Sequence, residues 1–579
     1  MPDLRRHAES NFLWACAIVD ALVSAGVRHA VMSPGAQMVP VALACRRNQA
    51  LRCSVVVDER SAAFKALGLA RGARAPVILV CTSGSAVGQF YPAIIEANLG
   101  MVPLIVLTCD KPPESQFRAV AQAMDQDRIY ASHVRASHDL RLPDETIALL
   151  PSLVGKLVEA SLWPTPGPVH LNLSFRPPLV PAGRQGPELP APPWVQMPVR
   201  MPQPDDARSL ARIISAGPGV IVCGPRELGH ETAAAISELA AHLNCPVLAD
   251  SCSGLRFGGH DRSALITHAD AVLRRCPPGD AAPAWILRFG GTPTSETVLS
   301  WLDGSGAREH IIVEETELWP DPLAQARTTR ILRATPALVC RQLRKAARPA
   351  PVSWLATFQA EDRRAARILH GLCDRPGPFW EAHIIRRLLA SLGDGDTLLV
   401  GNSTPIRDFD AFSGTAPDWI RLIANRGSNG IDGGVAFLAG LAEASCGRTV
   451  GIIGDLAFSH DVGALQLARG RDVTLVVVNN GGGAIFEYQA VAGIAEFADF
   501  LAAPGLDIAA LAAAFGWTHH VATEETAFAT ALRRTRATPG PHLIEAVVDR
   551  AASVARHRMF TALVAQDGEG AELEALAPA

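Results

Sequence analysis

Short β-branched runs alternate with stretches of helical period along most of the 579 residues. In the first third, His29–Gly35, Ser54–Glu59, Pro76–Gly84 and Val102–Asp110 read as buried parallel strands, with helical spacing over Ser61–Gly72 and Ala86–Ala97 between them. A second series opens with Gly219–Cys223, a helix over Glu231–Leu243, and Pro246–Ala249. A third holds Thr397–Gly401, Thr449–Asp455 and Val473–Asn480. This alternation predicts an α/β fold of three doubly wound parallel-sheet domains. A proline-rich stretch between Pro177 and Pro204 and a shorter break at Arg348–Pro349–Ala350–Pro351 cannot sustain helix or central strand. They predict a first domain over 1–180, a linker 181–205, a central Rossmann-like domain 206–347, a linker 348–375, a third domain 376–550, and a tail 551–579 of one helix and a frayed end.

Composition narrows the function classes. Hydrophobic residues are 48% and charged residues 19%, a globular balance, and the net charge of −4 leaves no basic face for nucleic acid or an anionic membrane. The twelve cysteines form no Cys-x-x-Cys pair and read as reduced, mostly buried thiols. The apolar stretch Asn11–Val23 is short and carries Asp20, so it reads as a surface helix rather than a signal peptide. No run of about twenty apolar residues predicts a membrane span. The expectation is a soluble cytoplasmic protein.

The densest chemical signal is Gly454–Asp455–Leu456, then 22 residues through Val478, then Asn479–Asn480. One strand closes on Asp455, a helix runs through Asp461–Arg469, and the next strand closes on Asn480. A carboxylate and an amide oxygen then stand at one sheet edge, and the run Gly481–Gly482–Gly483 lets a backbone carbonyl join them. A few hard oxygen donors suit Mg²⁺ or Mn²⁺ completed by diphosphate oxygens and water. A lone Gly-Asp is most simply a strand end with a cap. Both halves at this spacing are the fingerprint of a thiamine-diphosphate site.

That cofactor needs a second group, a carboxylic acid that hydrogen-bonds the aminopyrimidine ring and favours the imino tautomer, which then takes the thiazolium proton. Such a group works best desolvated, with its pKa shifted toward neutrality. Glu59, ending the strand SVVVDE before a helix of small residues, fits this role.

With these residues in view, the chain resembles the thiamine enzymes of menaquinone biosynthesis, the 2-succinyl-5-enolpyruvyl-6-hydroxy-3-cyclohexene-1-carboxylate (SEPHCHC) synthases, over nearly its whole length. The resemblance rests on Ser33–Pro34–Gly35, Asp58–Glu59–Arg60–Ser61–Ala62–Ala63–Phe64, Thr82–Ser83–Gly84, Tyr91–Pro92–Ala93 and Pro112–Pro113–Glu114. It continues through Gly401–Asn402–Ser403, Asn425–Arg426–Gly427, Gly430–Ile431–Asp432–Gly433 and Ile485–Phe486. It implies a pyrimidine-binding first domain, a diphosphate-binding third domain and a homodimer, or a dimer of dimers, with the cofactor between two chains. It further implies that Asp455, Asn480 and the Gly482 carbonyl hold the metal and that Glu59 activates the cofactor. Ile431 would prop the bent cofactor, with Pro34, Gly35, Thr82, Gly401, Asn402, Leu456, Ala457, Ile485 and Phe486 around it. Gln122, Ser403, Arg407 and Arg426 would meet the donor, 2-oxoglutarate in that family; a guanidinium grips a distal carboxylate through two parallel bonds.

The acceptor half departs from the family. Its Ser-Arg after Ser-Pro-Gly is Ala36–Gln37 here, its Asp-Arg-Pro-Pro-Glu has Lys111, and its Asn-Gln pair is Ala121–Gln122. Its central-domain Lys, often followed by Arg, aligns with Glu296 and Thr297, and Gln489 falls among usually apolar residues. Isochorismate carries two carboxylates, and losing one charge-assisted bond costs about 1.5–3 kcal/mol, so two losses weaken it roughly a hundredfold or more. The expectation is a 2-oxo acid donor with an acceptor other than isochorismate; isochorismate with compensating cations elsewhere is the alternative. The Arg407 and Arg426 pair argues against a relative of acetolactate synthase with a flavin in its middle domain, because it does not suit small apolar donors. A dinucleotide-binding oxidoreductase or a non-catalytic subunit rests on Gly224–Pro225–Arg226–Glu227–Leu228–Gly229, which lacks the middle glycine of a dinucleotide turn. His460–Asp461 reads as a cap on the helix after the metal aspartate, and Cys81 and Cys109 as small core residues.

Overall fold

Three six-stranded sheets follow one another along the computed structural model, which describes residues 2–116, 118–183, 186, 188–275, 282–323, 328–497, 501 and 505–566. The frayed end expected of the tail, 567–579, lies outside the described residues, as do 184, 185 and 187 of the first linker.

The first sheet contains β1 (His29–Met32), β2 (Arg52–Val55), β3 (Val77–Cys81), β4 (Leu104–Asp110), β5 (Ser137–Leu140) and β6 (Val169–Ser174), in the order β2-β1-β3-β4-β6-β5. The inner strands β3, β4 and β6 are buried at every position, which explains their unbroken apolar runs. The second sheet contains β7 (Gly219–Cys223), β8 (Val247–Ala249), β9 (Leu265–Ile266), β10 (Trp285–Phe289), β11 (Glu309–Val313) and β12 (Arg330–Leu332), in the order β12-β11-β10-β7-β8-β9. The third contains β13 (Thr397–Val400), β14 (Arg421–Ile423), β15 (Thr449–Gly454), β16 (Val473–Asn479), β17 (Thr518–Ala522) and β18 (Pro541–Val547), in the order β14-β13-β15-β16-β18-β17. Neighbouring strands run parallel, as at β1–β3, β7–β10 and β13–β15.

Contacts group the chain into two units. One comprises Met1–Met197, Asn425–Cys446 and His460–Val473; the other comprises Pro198–Ala424, Gly447–Ser459 and Thr474–Ala579. In the first unit, helix Glu59–Ala73 packs lengthwise on helix Gly434–Ala444. A Cβ on Gly68 would lie 2.1 Å from the Phe437 carbonyl oxygen, and one on Gly440 would lie 2.1 Å from that of Lys65, so the two backbones touch through glycine. At one edge of this pair Glu443 receives Lys65 at 3.0 Å and Arg471 at 2.8 Å.

Several placements differ from the sequence expectation. The helix over Asn11–Val23, expected at the surface, buries Phe12, Trp14, Ile18, Val19 and Leu22 in the core of the first sheet, because its apolar face packs there. Glu59 does not end a strand: β2 stops at Val55, Asp58 accepts from the Ser61 amide at 3.2 Å, and Glu59 is the first residue of the helix. Asp455 likewise opens a short helix, Asp455–His460, and the expected helix Asp461–Arg469 is a 3-10 segment, Val462–Ala468. The stretch read as a linker, 348–375, carries the helix Val352–Asp374, whose Ala365, Ile368, Leu369 and Leu372 join the core of the third sheet. The helix Arg550–Ala565 buries Val554, Phe560, Leu563 and Val564 in that core, so the tail is a packed element as far as Ala565.

Candidate active site

In doubly wound sheets, ligands gather where the strand order reverses, outside the carboxyl ends of two neighbouring strands. In the third sheet that point lies between β13 and β15. Gly401, Asn402 and Ser403 follow β13, and Asp455 with Leu456 and Ala457 follows β15. Asp455 is buried, its Oδ1 accepting from the Leu456 amide and its Oδ2 from the Gly482 amide, both at 2.8 Å. Burial raises its pKa above the usual range, and the amides around it oppose that shift. Asn480 stands just past β16, also buried, and Asn479 donates to Glu545 Oε1 at 2.7 Å, which fixes the loop's entry. Gly481, Gly482 and Gly483 hold φ of 79°, 81° and 69°, a left-handed run that side-chain-bearing residues resist. The Gly482 carbonyl accepts from Arg550 Nη1 at 3.1 Å.

This donor set fits a hard divalent cation: a carboxylate, an amide and a carbonyl on one loop and one strand end. Diphosphate oxygens and water would complete the shell of such a cation. Ile485 and Phe486 lie half-buried on the following 3-10 turn, Ala484–Tyr488, and Gln489 is exposed just beyond it. Ser403 holds φ 73°, a conformation that costs a non-glycine residue about 1 kcal/mol or more. Its carbonyl accepts from Arg407 Nη1 at 2.7 Å, one turn into helix Thr404–Phe412.

The first sheet reverses between β1 and β3, where Pro34–Gly35–Ala36–Gln37 and Thr82–Ser83–Gly84 lie. Pro34 and Ala36 are exposed, whereas Gln37 is 2% exposed and points inward. Its Nε2 donates to the Asp110 carbonyl at 2.7 Å and the Phe175 carbonyl at 2.6 Å, and its backbone amide donates to Thr82 Oγ1 at 3.2 Å. Both amide hydrogens are therefore engaged by the ends of β4 and β6. Gln122 is exposed at φ 61°, beside Ala121 and over Gly84. Lys111 is half-buried.

Glu59 is half-buried in the first turn of its helix. Beside it, Arg60 donates from Nη2 to the His460 carbonyl at 3.0 Å and to Asp461 Oδ1 at 3.3 Å. Asp461 does not cap its own segment. Its other oxygen accepts from the Val435 and Ala436 amides at 2.9 Å each, capping the helix that follows Ile431. Burial raises the Asp461 pKa to about 6, against the pull of those amides and Arg60. Arg60 and Asp461 thus tie the Glu59 turn to the segment Gly430–Gly433, where Ile431 is 37% exposed; Arg426 lies half-buried upstream in the same unit. Helix periodicity cannot show this contact, because the partners are 401 positions apart.

Sequence reasoning also missed Gln126, a buried amide that accepts from the Gly84 amide at 3.1 Å and donates to Asn172 at 3.1 Å. Glu296 is exposed at the first residue of helix Glu296–Gly304, behind the Ser295 cap, where an acid also complements the helix amides. Thr297 next to it is half-buried. The second sheet reverses between β7 and β10, and there the turns pack backbone on backbone: a Cβ on Gly224 would lie 1.9 Å from the Gly291 oxygen. Arg226 closes the same edge onto Glu314 at 2.7 Å. The turn Gly224–Gly229 therefore packs against protein at the place where a dinucleotide would need access. Cys81 and Cys109 are fully buried, with their thiol pKa values pushed up by burial.

Comparison with known proteins agrees with this geometry. The family models for the thiamine pyrophosphate enzyme N-terminal TPP binding domain, the thiamine pyrophosphate middle domain and the C-terminal TPP binding domain match residues 14–129, 190–400 and 416–546. The chain is 39% identical to the 2-succinyl-5-enolpyruvyl-6-hydroxy-3-cyclohexene-1-carboxylate synthase of Myxococcus xanthus, over 97% of this chain and 99% of that one. It is 38% identical to the synthase of the same name from Dechloromonas aromatica, over 92% and 98%. Benzoylformate decarboxylase from Polynucleobacter necessarius shares the fold, with a TM-score of 0.68 at 16% identity over 93% of this chain and 98% of that one. The thiamine-enzyme domain models and relatives matching nearly end to end place this chain among the thiamine-diphosphate enzymes, in the family of the SEPHCHC synthases.

Proposed function

We propose that this thiamine-dependent enzyme decarboxylates 2-oxoglutarate and transfers the remaining succinyl unit to an acceptor other than isochorismate. Thiamine diphosphate supplies a thiazolium carbon that stabilises negative charge as CO₂ leaves a 2-oxo acid. Asp455, Asn480 and the Gly482 carbonyl would hold Mg²⁺ on the diphosphate, and Glu59 would hold a proton against the pyrimidine ring nitrogen. Ile431 would support the cofactor's bend. Arg407 and Arg426, with Ser403 and Gln122, would bind the donor's carboxylates. Because the activating and metal-holding groups belong to different sheets, a homodimer that shares the cofactor between chains suits this arrangement.

The acceptor reading is carried by Gln37. The family's arginine position is filled by an amide whose donors already serve two carbonyls of its own fold, so it offers no positive charge to an acceptor carboxylate. Glu296 adds an exposed negative charge where the family carries lysine. Together they favour an acceptor that is less anionic than isochorismate. The second reading, isochorismate itself, draws on the near full-length identity to SEPHCHC synthases.

Purified protein with thiamine diphosphate, Mg²⁺ and 2-oxoglutarate, followed for loss of added isochorismate, separates the two. The proposal expects isochorismate to persist while CO₂ is released. Rapid, stoichiometric conversion to SEPHCHC overturns it.

A further inference from the structure

The helix Arg550–Ala565 bonds to three separate parts of the metal and donor site. Arg550 donates to the Gly482 carbonyl, and Arg558 Nη2 donates to the Glu487 carbonyl at 3.1 Å. Between them His557 reaches helix Thr404–Phe412, which begins one residue after Ser403 and carries Arg407. Its Nε2 donates to Asp408 Oδ1 at 3.0 Å and its Nδ1 to the Ser553 carbonyl at 2.9 Å. Both ring nitrogens face acceptors, an arrangement that only the imidazolium satisfies with two donated bonds.

The surroundings favour that charge. The His557 side chain is 15% exposed, and Trp380, Phe412 and Tyr488 set their rings around it at centroid distances of 5.3, 5.1 and 5.7 Å. Two carboxylates face it: Asp408, and Glu381 from helix Glu381–Ala390, whose Oε2 lies 4.0 Å from Nδ1 and accepts from the Ser553 hydroxyl. Arg550 and Tyr488 line the same small cavity, as does Asn480. The two acids hold the ring's proton to about 9, outweighing burial, which is the largest single influence and acts the other way. Asp408 is buried whereas Arg407 beside it is exposed, so His557 anchors the inward face of the helix whose outward face carries Arg407.

We propose that His557 is a positioning residue for donor recognition: it fixes Asp408, and through one rigid helix it fixes how Ser403 and Arg407 face the donor's carboxylates. The inference rests on the reading that Ser403 and Arg407 meet the donor. A misplacement of about 1 Å at such a site costs on the order of a hundredfold in rate.

The test uses the full chain with thiamine diphosphate and Mg²⁺, measuring KM and kcat for CO₂ release from 2-oxoglutarate, and the cofactor's Kd by tryptophan fluorescence. His557→Phe should raise donor KM about tenfold or more while cofactor Kd stays within about twofold. His557→Gln, whose amide can still donate to Asp408, should stay within about threefold. In the unaltered enzyme donor KM should climb as pH passes through about 9, where the ring loses its proton, and that climb should be absent in His557→Gln. A flat KM across that range overturns the inference without requiring any variant to fold. So does a His557→Phe enzyme whose donor KM is unchanged, or whose cofactor Kd weakens in step. Arg407→Ala separates the two readings. If it leaves donor KM unchanged, or if no CO₂ is released at all, the donor assignment fails and this inference with it. If it raises KM while the His557 variants and the pH profile do not respond, this inference alone fails.

Discussion

Gln37 sits where the family carries an arginine, and its two donated bonds argue that it now supports the fold. Gln37→Leu would remove the bond to the Phe175 carbonyl and leave the Asp110 carbonyl with the Phe175 amide alone, a loss of about 1–3 kcal/mol, so thermal unfolding should show a lower Tm. Added isochorismate should persist with the variant as it does with the parent. Glu59 makes the opposite case: Glu59→Gln should lower CO₂ release at least about a hundredfold while Tm stays within a degree or two of the parent. The Asp455 and Asn480 pattern was legible in the sequence because strand, helix and strand present both groups at one edge by local geometry. The direction of Gln37 was not. Whether a side chain at a strand end turns outward or back under its own sheet depends on carbonyls 73 and 138 positions away. Asp461 was misread for the same reason, since it caps a helix 25 positions earlier in the chain instead of its own. His557 also carries a stability signature. Its pKa is raised from 6.5 to about 9, so its contribution, on the order of 3 kcal/mol, is full below about 6.5 and is lost as pH rises through 9. The Tm difference between the parent and His557→Gln should therefore shrink between pH 7 and 9.5.

At the scale of elements, the contact between helices Glu59–Ala73 and Gly434–Ala444 sets the tolerance of the first unit. Gly68→Ala or Gly440→Ala would drive a methyl group into a backbone carbonyl, which cannot move as a side-chain tip can. Each should cost about 1–3 kcal/mol, read as a shift in the urea midpoint at unchanged slope. Central strands were legible because burial on both faces writes continuous apolar runs. The helix Val352–Asp374 was harder to read, because Pro349 and Pro351 before it resemble a linker and only part of its surface faces the core. The helix of the tail was legible, but its packing into the third sheet's core was not. The bonds from Arg550, His557 and Arg558 to distant loops leave no periodic trace at all.

For the whole molecule, three sheets of one kind carry different duties. Two carry the candidate cofactor residues at their reversal points, and the central one closes its own with Gly224, Gly291 and Arg226. We propose that Glu59, after β2, and Asp455, after β15, serve a single decarboxylation of a 2-oxo acid. A rapid-quench measurement of labelled CO₂ from 1-labelled 2-oxoglutarate over the first turnover tests it, using protein loaded with thiamine diphosphate and Mg²⁺. Prompt release is expected from the parent and none above background from Asp455→Ala or Glu59→Gln. Equal release from either variant, or none from the parent, would contradict it.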